Sequence, residues 1–370
     1  MNIRGCDKMK VVISAGGTGG HIYPALAIIN KIKEREPNST FLYIGTTDRM
    51  EATIIPQKKI PYVGIKMMGL NRKQVWKNIE VLKCFKQGIA QAKEEIIKFD
   101  PDIVLGIGGY ITSPVIYAAK KAGYKTFIHE QNSIPGLSNR FLSHYADKIG
   151  VSLPGTVRYF PKKKVVYTGN PRSEEVIRAI PVDKKKYHLS EHKELVLIVM
   201  GSLGSLTMNT KIKEMLSSFQ GRKYEVLLVT GKDYFTDFQK MTVPTNVKLV
   251  PFLDDMLGVM KRTDLIVSRA GASTVSEITA LGLPSILVPS PYVTHNHQWK
   301  NAKELESHGA TIVLEESNFS KETLLPLIDD ILDHEDKKKE MQKQASKLGV
   351  KDSATRIYQV IKRIVDGETK

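Results

Sequence analysis

Four glycines, a threonine and a histidine stand together at Gly16, Gly17, Thr18, Gly19, Gly20 and His21, directly after the β-branched run "KVVIS". Glycine here permits positive φ and lets backbone amides approach a ligand with no Cβ in the way. A helix beginning near His21 or Ile22 would then offer N–H groups and a positive dipole end to a diphosphate. A second loop, "GIGGYITSP" (106–114), follows "DIVL" and brings Gly108, Gly109 and Tyr110. Neither loop has dinucleotide or P-loop spacing, since the last glycine of G-x-G-x-x-G would fall on Ile22 or Ile111. One such loop is also an ordinary strand-to-helix turn; two of them beside a histidine point to a ligand.

The strongest signal lies in "DLIVSRAGASTVSEITALGLPSILVP" (264–289). An apolar strand enters Arg269–Ala272, and a helix opens at Ser273 or Thr274. Thr274-x-x-Glu277 fits a capping box, which would make Glu277 a backbone cap. In the other reading the helix start receives a diphosphate and Glu277 accepts hydrogen bonds from ribose hydroxyls. Upstream, "MGSLGSLTMN" (200–209) places Ser202 in another glycine loop; downstream, "PYVTHNHQWKNA" (291–302) carries His295, His297 and Gln298. No nearby carboxylate or cysteine completes a metal site around these histidines. Asp100-Pro101-Asp102 precedes a strand instead of ending one and reads as a helix stop.

These loops need strands to carry them. Thirteen short apolar runs alternate with helical patterns: seven from "KVVIS" to "VVYTG" and six from "LVLIVMG" to "TIVLEE". Continuous apolar runs mark strands buried on both faces, as in parallel α/β sheets. Thirteen strands in 370 residues suit two doubly wound domains better than one sheet. The break falls near residues 168–194, where Pro171, Pro181 and a lysine run interrupt the pattern. In such sheets ligands bind beyond the strand carboxyl ends, where all these loops lie. The segment 352–365 reads as a final amphipathic helix capped by Asp352 or Ser353.

Composition is that of an ordinary soluble globular chain, with 41% apolar and 25% charged residues. The formal charge of +16 favours anionic partners: phosphorylated substrates, acidic membranes or nucleic acid. The basic residues are dispersed, however, and no RNP-like strand or zinc-finger spacing appears, so nucleic acid is not expected. Cys6 and Cys84 are too few for a disulfide framework. No run approaches the roughly 18 apolar residues of a membrane span. The opening residues lack the apolar core of a secretory signal.

The ordered motifs "GGTGGH", "GGYITSP", "HEQNSIPGLSNR", "GNP" and "SRAGASTVSEI" resemble the MurG-type family of peptidoglycan glycosyltransferases, over about residues 10–310. The resemblance implies an α/β GT-B fold: two Rossmann-like, doubly wound parallel-sheet domains facing across a cleft. An acceptor domain would span 1–170, with the helix at 351–370 packing back on it, and a donor domain 171–350. The implied reaction transfers N-acetylglucosamine (GlcNAc) from UDP-GlcNAc to the C4 hydroxyl of undecaprenyl-diphospho-muramoylpentapeptide (lipid I), giving lipid II. The alternative is a UDP-GlcNAc 2-epimerase or another GT-B UDP-sugar enzyme.

Carried over by motif, the donor would meet Gly17, Thr18, Gly19 and Asn132 in the first domain. In the second it would meet Ser202, Leu253, Ala272, Ser273, Thr274, Glu277 and Gln298. Gly16, Gly20, Gly108, Gly109 and Tyr110 would face the acceptor diphosphate. Three departures matter: Met200 stands where the family more usually opens with a double glycine, "HNHQWKN" differs locally around Gln298, and Arg172 in "GNPRS" occupies a variable basic position.

An α-linked donor and a β-linked product imply a single inverting displacement, which needs a base. His21 is the candidate, since imidazole titrates near working pH; its other reading is a capping or diphosphate-binding histidine. His129 and Glu130 in "TFIHEQN" compete for the role. Leaving-group charge would fall on backbone amides and a helix dipole, so neither metal nor cofactor is expected. The lipid acceptor implies a peripheral position on the cytoplasmic face of the cell membrane. "GLNRKQVWKNIEVLKCFKQGI" (69–89) sets Val75, Trp76, Ile79, Leu82 and Phe85 largely on one helical face, with Arg72, Lys73, Lys77, Lys83 and Lys86 around it. That is an interfacial pattern, and equally the pattern of a core-facing helix.

Overall fold

A computed structural model describes residues 8–68, 78–201, 204–293 and 296–368. The chain divides into two compact units: one runs to Arg172 and resumes at Asp352, the other is Ser173–Lys351.

The first unit begins β1 (Lys10–Ser14), α1 (Gly19–Arg35), β2 (Thr40–Thr46), α2 (Met50–Gln57), β3 (Tyr62–Ile65) and α3 (Asn78–Phe99). It continues β4 (Ile103–Gly106), α4 (Thr112–Lys121), β5 (Thr126–Glu130), α5 (Leu137–Leu142), β6 (Lys148–Val151) and β7 (Val165–Tyr167). The second unit follows α6 (Arg172–Arg178) with β8 (Leu195–Val199), α7 (Leu206–Met215), β9 (Glu225–Val229), α8 (Phe235–Gln239), β10 (Val247–Val250), α9 (Met256–Met260) and β11 (Leu265–Ser268). Then come α10 (Ala272–Leu281), β12 (Ser285–Leu287), α11 (His297–Glu306), β13 (Ile312–Val313), α12 (Lys321–Asp333) and α13 (Glu335–Leu348); α14 (Ser353–Asp366) returns to the first unit.

All thirteen apolar runs are strands. They pair in parallel as β3-β2-β1-β4-β5-β6-β7 and β10-β9-β8-β11-β12-β13. Each unit is thus a doubly wound Rossmann-like domain, the building block expected of the GT-B class. The period of two explains the double burial. Val11, Ile13, Phe41, Tyr43, Ile103 and Leu105 face α1 and α14, whereas Val12, Leu42, Ile44 and Val104 face α3 and α4. On α14, Ile357, Ile361 and Ile364 recur at helical spacing and are buried against the first core. Lys362 and Tyr358 on the same helix reach Glu36 at 3.1 and 2.9 Å. Asp102 accepts the first N–H of β1 at 2.8 Å, and Asp264 does the same for β8 at 2.8 Å. These carboxylates sit at the amino edge of each sheet, where the Asp100–Asp102 segment was expected.

Two helix starts differ from the sequence expectation. α1 begins at Gly19, with Thr18 at the cap, two residues before His21. α10 begins at Ala272 with Gly271 at the cap, so Thr274 lies inside the first turn and no capping box forms with Glu277.

Candidate functional site

Each sheet reverses its strand order between two neighbours, β1 and β4 in the first unit and β8 and β11 in the second. Such switch points leave a crevice at the carboxyl edge. Both glycine loops of the first unit follow the strands that flank its switch.

The two loops interlock. Gly16 N–H donates to the Gly108 carbonyl at 3.2 Å. A Cβ on Gly109 (φ +91°) would stand 2.4 Å from the Gly16 oxygen, so only glycine fits there. Gly17 (φ +89°) has open space where its Cβ would be, and glycine is needed there for its backbone angle alone. Gly19 and Gly20 form the first turn of α1, whose leading N–H groups have no helical acceptor. No acidic residue stands in the first turn of α1, α4 or α10, and none of the three has a side-chain cap. α7, by contrast, is capped by Ser205, which accepts from Met208 N–H. Three uncapped helix starts after three strand ends suit anionic groups.

His21 lies one turn into α1, and its Nδ1 is 3.0 Å from the Gly16 carbonyl. A carbonyl can only accept, so Nδ1 carries a proton, and in the neutral ring the lone pair is on Nε2. Thr18 Oγ1 is 3.5 Å from the same nitrogen. The rival base candidates at the end of β5 are differently placed. His129 Nδ1 accepts from Gln131 Nε2 at 3.1 Å, and its Nε2 meets the Gly169 carbonyl at 3.0 Å. Burial pushes His129 down to about 4, against the smaller upward pull of Gly169. Glu130 accepts from Asn132 N–H (3.0 Å), Asn132 Nδ2 (3.2 Å), Gly136 N–H (3.0 Å) and Asn139 Nδ2 (2.8 Å). Its carboxylate is an organising centre for the loop after β5. Tyr110 follows the second glycine loop, where the Arg49 guanidinium is bonded to its hydroxyl and held above its ordinary range.

Sequence reasoning missed Glu51 on α2. It is fully buried and accepts Gly17 N–H at 2.9 Å, and Thr46 N–H and Oγ1–H at 3.2 and 2.8 Å. No motif marks it, because its partner lies 34 residues upstream.

In the second unit, Ala272, Ser273 and Thr274 form the first turn of α10, and Glu277 is buried one turn further on. Ser273 Oγ is buried with no hydrogen-bond partner among the described residues. Arg269 was visible in the motif without a role. It bridges the ends of three strands, donating to the Val288 carbonyl (3.1 Å) and Ser205 Oγ (3.4 Å) and pairing with buried Glu316 at 2.6 Å. Asn301, also missed, is buried and donates to the Ala270 carbonyl at 3.1 Å. Gln298 on α11 accepts from Ser290 N–H at 2.8 Å, and Leu253 is buried after β10. Ser202 and His295 lie outside the described residues. A concavity of about 630 Å³ beside α12, lined by Arg222, Asp329 and Asp333, touches none of the expected site residues. No cluster of three or more metal-ligating side chains occurs among the described residues.

On α3 the expected single stripe divides. Phe85 packs on the first unit's core beside buried Val81, while Ile79 and Leu82 are 62% and 60% exposed. Val75 and Trp76 lie outside the described residues. No helix among the described residues is long and apolar enough to cross a membrane.

The model of the glycosyltransferase family 28 N-terminal domain matches residues 11–151, and that of the family 28 C-terminal domain matches 195–357. A Bacillus cytotoxicus protein named "UDP-N-acetylglucosamine--N-acetylmuramyl-(pentapeptide) pyrophosphoryl-undecaprenol N-acetylglucosamine transferase" is 44% identical over 362 residues, 96% of this chain and 100% of its own. The crystal structure of Acinetobacter baumannii MurG is 26% identical and superposes with a TM-score of 0.78, covering 96% of this chain and 99% of that one. A UDP-GlcNAc 2-epimerase from Neisseria meningitidis, 14% identical with a TM-score of 0.65 over 96% of this chain and all of its own, shares the fold alone.

Proposed function

The chain belongs to glycosyltransferase family 28, and from that membership we propose that it moves GlcNAc from UDP-GlcNAc to the C4 hydroxyl of lipid I, forming lipid II. The observation that carries the site is the pair of interlocked glycine loops at the first sheet's switch, with the His21 tautomer set by the Gly16 carbonyl.

The first unit binds the acceptor. Gly20, Gly108 and Gly109 offer backbone amides to its diphosphate, with Tyr110 beside them. Gly16, whose N–H is spent on the Gly108 carbonyl, shapes the loop instead, and Gly17, Thr18, Gly19 and Asn132 reach the donor sugar. The second unit binds UDP-GlcNAc: Ser202 and the α10 start with Ala272, Ser273 and Thr274 take the diphosphate, and the unpartnered Ser273 hydroxyl supports that reading. Glu277 holds ribose, Leu253 meets uracil through its backbone, and Gln298 contacts the sugar. Burial of Glu277 without a capping box favours the ribose role.

His21 is the base. With its proton on Nδ1, Nε2 takes the proton of the acceptor hydroxyl as that oxygen attacks the anomeric carbon and UDP departs. His129 has both ring nitrogens engaged and is held neutral, and Glu130 is saturated by donors, so neither suits the task. Helix dipoles and amides stabilise the leaving diphosphate, which leaves no step that needs a metal. The enzyme acts as a peripheral protein on the cytoplasmic face of the membrane, with Ile79 and Leu82 toward lipid and Lys83 and Lys86 toward anionic headgroups.

The test is transfer of labelled sugar from UDP-GlcNAc to a lipid I analogue, in chelator. Product only with acceptor is expected. Sugar inversion without acceptor would mark an epimerase, and loss of activity in chelator would defeat the metal-free scheme.

A further inference from the structure

We infer that Glu51 is the positioning residue for His21 and acts on it through a single peptide bond. The inference rests on the assignment of His21 as base. The Gly16–Gly17 peptide unit joins two hydrogen bonds. At one end Gly17 N–H donates to Glu51 Oε2 at 2.9 Å; at the other the Gly16 carbonyl accepts from His21 Nδ1 at 3.0 Å. Carboxylate, amide and imidazole therefore form one chain, with donors and acceptors running in the same direction.

The chain has a clear electrostatic sense. A carboxylate accepting from an amide N–H polarises the amide and makes its carbonyl a stronger acceptor, as in other cooperative hydrogen-bond chains. A stronger acceptor at Nδ1–H raises the basicity of Nε2. A buried carboxylate does this directly in the Ser-His-Asp triad, where it also fixes the tautomer. Here the amide is interposed, so the same influence arrives weakened.

The surroundings direct Glu51's charge along this route. The residue is fully buried, and the Arg49 guanidinium at the cap of its own helix acts on it through space without forming an ion pair. Its second oxygen takes Thr46 N–H and Oγ1–H, which leaves Oε2 for Gly17. The glycines are shaped to the arrangement: a Cβ on Gly16 would sit 2.3 Å from Glu51 Oε1. Other titratable groups face the loop. The hydroxyls of Tyr43 on β2 and Tyr62 on β3 donate to the Ala15 and Thr46 carbonyls, and burial first, then the Glu51 charge, pushes both upward. His129 on β5 is held neutral near pH 7. Tyr110 follows β4, and Tyr23 on α1 stands over Gly19. Of these groups Glu51 alone is joined to the His21 ring through the Gly16–Gly17 peptide.

The experiment compares Glu51→Gln, Glu51→Asp and Thr46→Val, each with His21 intact and in a His21→Ala background. Steady-state transfer to a lipid I analogue is measured across pH, and the His21 ring is titrated by ¹⁵N NMR. Gln lacks the charge, and Asp withdraws it from Gly17 by one methylene. Either is expected to lower kcat about 10- to 100-fold, by analogy with the cost of removing the partner that orients a metal-bound imidazole. Both should leave KM for UDP-GlcNAc unchanged and move the His21 titration and the acid limb of kcat to lower pH. The direction follows because losing a nearby negative charge disfavours the imidazolium. With His21→Ala present, neither should cost anything further. Thr46→Val loses a bond to the same carboxylate but spares Gly17, so it should lower Tm and leave kcat and the titration alone.

An unmoved His21 titration in both Glu51 variants would overturn the inference, as would an equal kcat loss without the histidine. If His21→Ala itself retains kcat, the base assignment fails separately, and the ring titration still decides whether Glu51 acts on His21.

Discussion

The imidazole of His21 occupies the space that a side chain on residue 108 would fill: a Cβ on Gly108 would come 2.5 Å from ring Cδ2 and 2.9 Å from Nε2. The histidine of one loop and the glycine of the other are thus a fitted pair. The expected base is held on two sides, by the Gly16 carbonyl and by the bare Gly108 backbone.

His21→Ala is therefore expected to lower kcat about 10²- to 10⁴-fold, the usual contribution of a general base, with KM nearly unchanged. A loss confined to KM, measured with the lipid I analogue, would instead make His21 a diphosphate ligand.

Gly109→Ala should destabilise the first unit, because its Cβ meets a backbone oxygen at 2.4 Å and its φ is +91°. The backbone angle alone costs about 1–2 kcal/mol, and the clash adds to it. Gly20→Ala is the control: its Cβ meets nothing nearer than Thr18 Oγ1 at 3.7 Å. Thermal unfolding should show a lower Tm for the first variant and a near-native one for the second.

Ile79→Glu and Leu82→Glu should weaken sedimentation with anionic vesicles while leaving Tm unchanged, because both side chains are exposed. Phe85→Ala should do the reverse. It removes half-buried core contacts worth on the order of 1–2 kcal/mol. Equal loss of vesicle binding in all three variants would return Phe85 to the membrane face.

His129 makes stability depend on acidity. Its folded pKa lies near 4, below the ordinary histidine value. Between about pH 6.5 and 4 the unfolded chain therefore binds a proton that the folded chain refuses. Stability should fall as pH falls through that window, by on the order of 3 kcal/mol in all. His129→Gln should flatten that part of the Tm-versus-pH curve, and an unchanged slope would assign the acid sensitivity to other groups.

The thirteen strands were legible because double-sided burial writes itself as unbroken apolar runs, as in "LVLIV" of β8. The helix starts were less so. Gly19 and Gly20 are poor helix formers, yet they belong to α1 because the strand before them fixes where the helix begins. Thr274 and Glu277 matched a capping pattern, but Gly271 takes the cap position and leaves the pattern without effect. On α3, spacing alone grouped Ile79, Leu82 and Phe85, whereas packing drew Phe85 to the core. Glu51 and Asn301 could not be read at all. Each is defined by a backbone atom far away in the chain, Gly17 N–H in one case and the Ala270 carbonyl in the other.

The return of α14 to the first unit bears on how the protein is made. A ribosome delivers β1 to β7 early, but Ile357, Ile361 and Ile364 emerge only after the whole of Ser173–Lys351 has been synthesised. Until then the core shared by α1 and the sheet lacks the three isoleucines of α14. The earlier-born half therefore completes its interior last, with the seat of α14 left open until the later-born half has been made.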